Sequence, residues 1–256
     1  MTAAHRREDK IRRPHERTLL RVCGLAAVRA LFETDPGRVE RLFFEPRLRS
    51  EVGGCCAELA RARKPYREVD TAALARVAGT VLHGGVAAIA QQRPLALFDP
   101  AAAPGWARDG KPLLILDGIG NPHNLGAIAR TAAFFGIERI LLADRPDQAL
   151  PSDASYRVAE GGLEYITLYQ APLPQALAGL RPTYSITGTA LGHLARPAGR
   201  RDDLPAALVL GNEETGLSPA TLAACDQVVT IPGAGRVQSL NVAAAAAILI
   251  YRLILP

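Results

Sequence analysis

Beyond residue 112 the sequence alternates short, wholly apolar runs with longer segments of helical period, and few folds accept that pattern. LLILD (113–117) reads as a buried strand, NLGAIARTAAFFG (124–136) as a helix stopped by Gly136, and RILLAD (139–144) as a second strand. YITLY, TYSITG, ALVLG and QVVTIP read as further strands. PLPQALAGL, SPATLAACD and SLNVAAAAAILIYRLIL read as helices. Strands apolar on both faces and separated by helices build a mostly parallel sheet covered on both sides.

A smaller α/β unit precedes it. LLRVCGLAAVRALFE gives a short strand or turn and then a helix. VERLFFEP gives a strand, CCAELARARK a helix, YREV a strand, TAALARVAG a helix ending at Gly79, and VAAIAQ a closing strand. This pattern predicts a compact domain over 14–97 with its own core. Residues 98–111 are rich in Pro, Gly and Ala and break every period, which predicts a linker before a second domain at 112–256. Residues 1–13 are charged and lack an apolar period, as expected of a mobile basic tail.

Charge divides unevenly between these parts. Residues 1–100 hold 18 Lys and Arg against 12 Asp and Glu, whereas residues 101–256 hold 12 against 13. The positive excess therefore lies in the first part, where a polyanion would meet it. The four cysteines, Cys23, Cys55, Cys56 and Cys225, have no zinc-ligand spacing, and no metal is expected. The charged N-terminus has no signal-peptide core, and the apolar run from Val242 is interrupted by Arg252, short of the roughly 20 residues that span a bilayer. The expected compartment is the reducing cytoplasm, without a membrane partner.

Ligands of open parallel sheets bind beyond the carboxyl ends of the strands. Three loops there are rich in Gly, Asn and short polar residues: LDGIGNPHNLGAIARTAAFFG (116–136), LVLGNEETGLS (208–218) and VVTIPGAGRVQSLNVAAA (228–245). None contains G-x-G-x-x-G with a following ribose-binding acid, and none contains a phosphate loop, so nicotinamide dehydrogenase and P-loop readings lose their main support.

In order and spacing these loops resemble the three motifs of the SpoU/TrmH family of SPOUT methyltransferases: N-x-x-x-x-x-R, G-x-E-x-x-G-x-S and I-P-x-x-G-x-V-x-S-L-N-V. The likeness runs from about Lys111 to the C-terminus. Residues from His15 to Pro94 resemble the ribosomal-protein-L30e-like substrate-binding domain of many members, through CGLAAVRALFE and VLHGGVAAIA. NPHNLGAIAR and VAEGGLEYITLY resemble the YfiF-type branch most. The resemblance implies an α/β SPOUT domain with a deep C-terminal trefoil knot, and a homodimer with its active sites at the interface. It also implies transfer of a methyl group from S-adenosylmethionine to a ribose 2′-hydroxyl of structured tRNA or rRNA, held by the N-terminal domain. A non-catalytic RNA-binding or ribosome-assembly protein with the same fold is the alternative.

Carried onto this sequence, the resemblance makes Arg130, Asn124, Glu213, Ser239 and Asn241 catalytic. It assigns Gly211, Asn212, Glu213, Gly216, Ile231, Pro232, Ser239, Leu240 and Asn241 to the donor, and more weakly Thr187 and Gly188. Each position also has a plainer reading. Asn124 and Ser239 are both apt N-caps, and Arg130, set among Ala, Ile and Phe, reads as a buried charge that a salt bridge would satisfy. Because a guanidinium keeps its proton in proteins, the expected role for Arg130 is to orient RNA phosphate and stabilise a developing alkoxide rather than to act as base. The sequence departs from the family at Asn121-Pro122, where relatives often carry Asp-Pro, and at Gly233, where many have Met.

Overall fold

The computed structural model describes residues 18–190 and 203–253. The tail expected at 1–13 lies outside the described residues.

The first unit is a four-stranded sheet in the order β1-β4-β2-β3, made from β1 (Leu19–Cys23), β2 (Val39–Phe44), β3 (Tyr66–Glu68) and β4 (Val86–Gln91). Strand β4 runs antiparallel to β1 and β2, and β3 pairs parallel to β2. Helices α1 (Leu25–Thr34), α2 (Gly53–Arg61) and α3 (Thr71–Ala78) connect them. Asp70 caps α3 by accepting from the Ala73 N–H at 2.7 Å, and Gly79 closes it in the left-handed region at φ 67°.

The second unit is a seven-stranded sheet in the order β11-β9-β10-β6-β7-β8-β5, parallel at every pairing. Its strands are β5 (Ala96–Leu97), β6 (Leu113–Asp117), β7 (Arg139–Ala143), β8 (Thr167–Ala171), β9 (Ser185–Thr189), β10 (Ala206–Gly211) and β11 (Gln227–Val229). All five residues of β6 are buried. Alternation along it sends Leu114 and Leu116 into one core, with α5 (Pro122–Phe134), α6 (Asp153–Ala159) and α9 (Val242–Leu253). Leu113 and Ile115 enter a second core with α7 (Leu173–Leu180) and α8 (Pro219–Ala224). The expected mixed α/β fold with helices on both faces is present.

Residues 96–97, just ahead of the stretch expected as a linker, form the edge strand β5 of this sheet. Within that stretch Pro100–Ala102 make a 3-10 turn that leads into α4 (Ala103–Arg108), which packs against the sheet. Packing, not period, holds it there. The Trp106 ring lies 5.5 Å from that of Phe98 and 4.8 Å from that of Tyr169, and the Arg139 guanidinium sits 5.2 Å over it.

The two units share a core. Val22, Val28 and Leu31 join Leu163, Ile166 and Leu168 in one continuous apolar cluster. Within this boundary Arg38 Nη1 meets Glu164 Oε2 at 2.7 Å, and Arg93 Nη2 meets the same oxygen at 3.1 Å. Burial opposes the Arg38 charge, but Glu164 and Tyr156 together outweigh it and raise its pKa. Burial and then the Glu164 charge push the Tyr156 phenol up. Among the described residues no helix is long and apolar enough to cross a membrane.

Candidate active site

Strand β6 is flanked by β7, its successor in the chain, and by β10, reached much later, so the strand order reverses between β6 and β10. Their carboxyl ends lie side by side, with Gly211 paired to Asp117. Such a reversal opens a crevice where ligands of parallel sheets bind.

The loop after β10 closes on itself. Asn212 and Gly216 exchange both backbone hydrogen bonds, at 3.1 and 2.9 Å, with Gly216 at φ 70°. The Asn212 carboxamide accepts from the N–H groups of Glu214 and Thr215 and donates to the Gly118 carbonyl at 2.7 Å, tying this loop to the end of β6. Gly211 permits the closure, because a Cβ there would lie 2.4 Å from the Gly216 carbonyl carbon. Asp117, which sequence reasoning passed over, anchors the loop from below. Its carboxylate accepts from the Ser218 N–H at 3.2 Å and pairs with Arg145 at 3.0 Å.

Beside this loop lies a cavity of about 610 Å³. The ends of β9 and β10, the segment after β11 and the start of α9 enclose it. Eight of the residues expected around the donor line it: Gly211, Asn212, Glu213, Gly216, Ile231, Pro232, Ser239 and Leu240. Its volume suits a ligand of small-molecule size, and Val229, Val242 and Leu249 add apolar wall. Sequence reasoning missed Thr189 and Ala190 here, because it stopped one residue short. Thr187 is buried within β9, where its hydroxyl accepts from Gln227 Nε2 at 2.8 Å. Gly188 packs beneath Cys225 and Leu217. Neither lines the cavity.

Three expected catalytic side chains meet beside it: Glu213 lines the cavity, whereas Asn124 and Asn241, the latter also expected around the donor, do not. Asn124 Nδ2 donates to Glu213 Oε1 at 2.6 Å, and Asn241 Nδ2 donates to Asn124 Oδ1 at 3.0 Å. The N-cap readings need correction. Asn121, not Asn124, caps α5 by accepting from the His123 N–H at 2.8 Å, which leaves the Asn124 side chain for Glu213. Asn241, not Ser239, precedes α9 and accepts from the Ala243 N–H at 2.9 Å. Glu214 is exposed.

Arg130 is set apart from this group. It lies six residues beyond Asn124 on α5, about 9 Å along the helix and about 120° around it. It does not line the cavity. The expected buried charge is in fact exposed, with 57% of its side chain accessible, and it pairs with Glu160 at 2.9 Å.

Comparison with known proteins fits this geometry. Residues 111–251 match the model of the SpoU rRNA Methylase family, and residues 21–96 match that for RNA 2'-O ribose methyltransferase substrate binding. The chain is 33% identical over 237 residues to the 23S rRNA (guanosine-2'-O-)-methyltransferase RlmB of Acinetobacter baylyi, covering 89% of this chain and 94% of that protein. It is 32% identical over 233 residues to the uncharacterized tRNA/rRNA methyltransferase YfiF of Escherichia coli O157:H7, covering 90% of this chain but 66% of that longer protein. Its fold is that of the AdoMet-bound rRNA methyltransferase from Sinorhizobium meliloti, with a TM-score of 0.73 at 24% identity over 91% of this chain and 85% of that one. The chain belongs to the SpoU rRNA methylase family, with that family's substrate-binding domain ahead of its catalytic domain.

Proposed function

We propose that this chain methylates a ribose 2′-hydroxyl in tRNA or rRNA, with S-adenosylmethionine as the methyl donor. The observation that carries the reading is that Asn124 and Asn241, from the first and third motif loops, converge on Glu213, which lines a largely apolar cavity built mainly from the second and third motif loops. The donor fits what is present. Ile231, Leu240 and the Gly211 backbone offer apolar and main-chain contacts for an adenine, while Glu213 and Ser239 offer polar ones. Its sulfonium supplies an already activated methyl group, so the protein's task is positioning, which accounts for much of the rate of such reactions. Arg130 would hold RNA phosphate and stabilise the developing alkoxide. Residues 14–97 would hold the RNA by its phosphates, so binding weakens as salt rises.

Because Arg130 does not reach the cavity of its own chain, we assign the working site to a homodimer in which Arg130 serves the partner's cavity. Exposed aromatic and aliphatic side chains support this. Phe134 is 82% accessible, Tyr251 69% and Ile248 42%, on adjoining faces of α5 and α9. The trefoil knot also belongs to this proposal. Its support is that the chain reaches the sheet edge at β11 and then returns to pack α9 against α5 and β10. A cytoplasmic location follows from the same reading.

Calorimetry with S-adenosylmethionine and transfer of labelled methyl to total RNA from a deletion strain test the proposal together. Donor binding with label at a ribose 2′ position supports it. Absence of both leaves the non-catalytic RNA-binding alternative. Arg130→Lys retains charge but loses the bidentate fork, and turnover at saturating RNA should fall. Near-normal turnover would rule out the orienting role.

A further inference from the structure

Helix α6 ends in a turn that neither the cavity nor the donor residues use. Glu160 occupies the left-handed region at φ 45° and ψ 43°, a conformation unfavourable for a residue with a side chain. Gly161 follows at φ 96°, and a Cβ on it would lie 2.9 Å from Ala30 Cβ and 3.2 Å from the Ala26 carbonyl oxygen, both on α1 of the substrate-binding domain. A Cβ on Gly162 would lie 2.8 Å from Arg130 Cα. Three consecutive residues therefore touch the first domain, the Arg130 backbone and, through the 2.9 Å ion pair of Glu160, the Arg130 side chain.

Stability gives little reason for this arrangement. With 57% and 56% of the two side chains accessible, the ion pair contributes little to folding, and glycine would take the Glu160 backbone conformation without strain. A carboxylate there does fix where the Arg130 guanidinium points. Left alone, a long exposed arginine samples many rotamers.

We propose that Glu160 is a positioning residue for Arg130, and that the turn 160–162 sets that guanidinium relative to the substrate-binding domain. The proposal rests on the reading of Arg130 as the residue that meets the RNA. Loss of the carboxylate should lower turnover while donor binding, which depends on a different set of residues, stays unchanged.

The test uses the full chain, labelled S-adenosylmethionine and total RNA from a deletion strain, with Glu160→Gly, Glu160→Gln, Glu160→Asp and Arg130→Ala compared. Glu160→Gly removes the carboxylate and relieves the backbone, so it should melt no lower than the parent. Its kcat should nevertheless fall about three- to fivefold, the most an exposed ion pair can contribute to orientation, as should that of Glu160→Gln, with donor Kd unchanged. Glu160→Asp keeps the charge and should recover part of the rate. If Glu160→Gly and Glu160→Gln turn over within about twofold of the parent while Arg130→Ala is inactive, Glu160 does not position Arg130. If Arg130→Ala itself turns over normally, the role of Arg130 fails first, and the proposal falls with it.

Discussion

Asn124 links side chains that lie 89 and 117 positions away in the chain, donating to Glu213 and accepting from Asn241. Those two contacts fix which way its carboxamide faces, because a carboxylate can only accept and Asn241 presents its Nδ2. Asn124→Asp would put a second carboxylate where the donor to Glu213 stood. The carboxamide link would be replaced by repulsion between the two side chains, so the variant should bind S-adenosylmethionine about tenfold more weakly. Calorimetry checks this, and unchanged affinity would separate the Asn124–Glu213 contact from donor binding. A second residue reports on folding. Burial first, and Asp153 next, push the Cys23 thiol up from 9.0 to about 11. The folded chain then keeps a proton that the unfolded chain loses near pH 9, so this contribution to stability is whole below pH 9 and disappears by about pH 11. Urea midpoints across that window should fall less for Cys23→Ala than for the parent.

At the scale of the element, the loop after β10 depends on two backbone segments approaching closer than a side chain allows. In Gly211→Ala the new methyl would meet the Gly216 carbonyl carbon at 2.4 Å and the Leu217 nitrogen at 2.5 Å, both main-chain atoms. Overpacking of this kind costs about 1–3 kcal/mol, roughly 2–4 °C of melting temperature per kcal/mol in a chain of this size. Donor affinity should drop further than the stability loss accounts for, because the displaced strand end is the cavity wall. Melting curves and calorimetry on the same sample separate the two effects. The glycine itself was legible in the sequence, as were β6, β7, β10 and α5, because burial on both faces or on one stripe imprints a period on the residues. Elements held by tertiary contact were not. Helix α4 has no apolar period of its own and is held by Trp106 between Phe98 and Tyr169. The caps of α5 and α9 were misplaced for a similar reason. Asn121, Asn124, Ser239 and Asn241 all suit a cap, and only the position of Glu213 in space decides which side chain is drawn elsewhere. Nor could the apolar neighbours of Arg130 in the sequence reveal that its own side chain points outward to Glu160.

At the scale of the whole molecule, a substrate domain that merely hung from a linker could be removed to isolate its share of RNA binding. This one shares a core with the catalytic domain, and its removal would uncover Tyr156, Leu163 and Ile166 and leave the Glu164 carboxylate without Arg38 and Arg93. The two domains should therefore unfold together. Among the described residues Arg38 Nη2 and Glu164 Oε1 have no hydrogen-bond partner although both are buried, so the pair carries a desolvation cost that its contacts only partly offset. Breaking it from one side is worse than removing it. In Glu164→Gln the Arg38 guanidinium stays buried without its counter-charge, which costs about 3–5 kcal/mol and should lower the melting temperature by roughly 10 °C. Replacing both, as Arg38→Met with Glu164→Leu, should restore much of that loss, because apolar residues of similar volume need no solvation there. Calorimetry should show one transition in all three proteins, displaced to lower temperature in Glu164→Gln and largely returned in the double variant. Two separate transitions in the parent would mean that the domains fold independently, and the continuous core would then contribute little cooperativity between them.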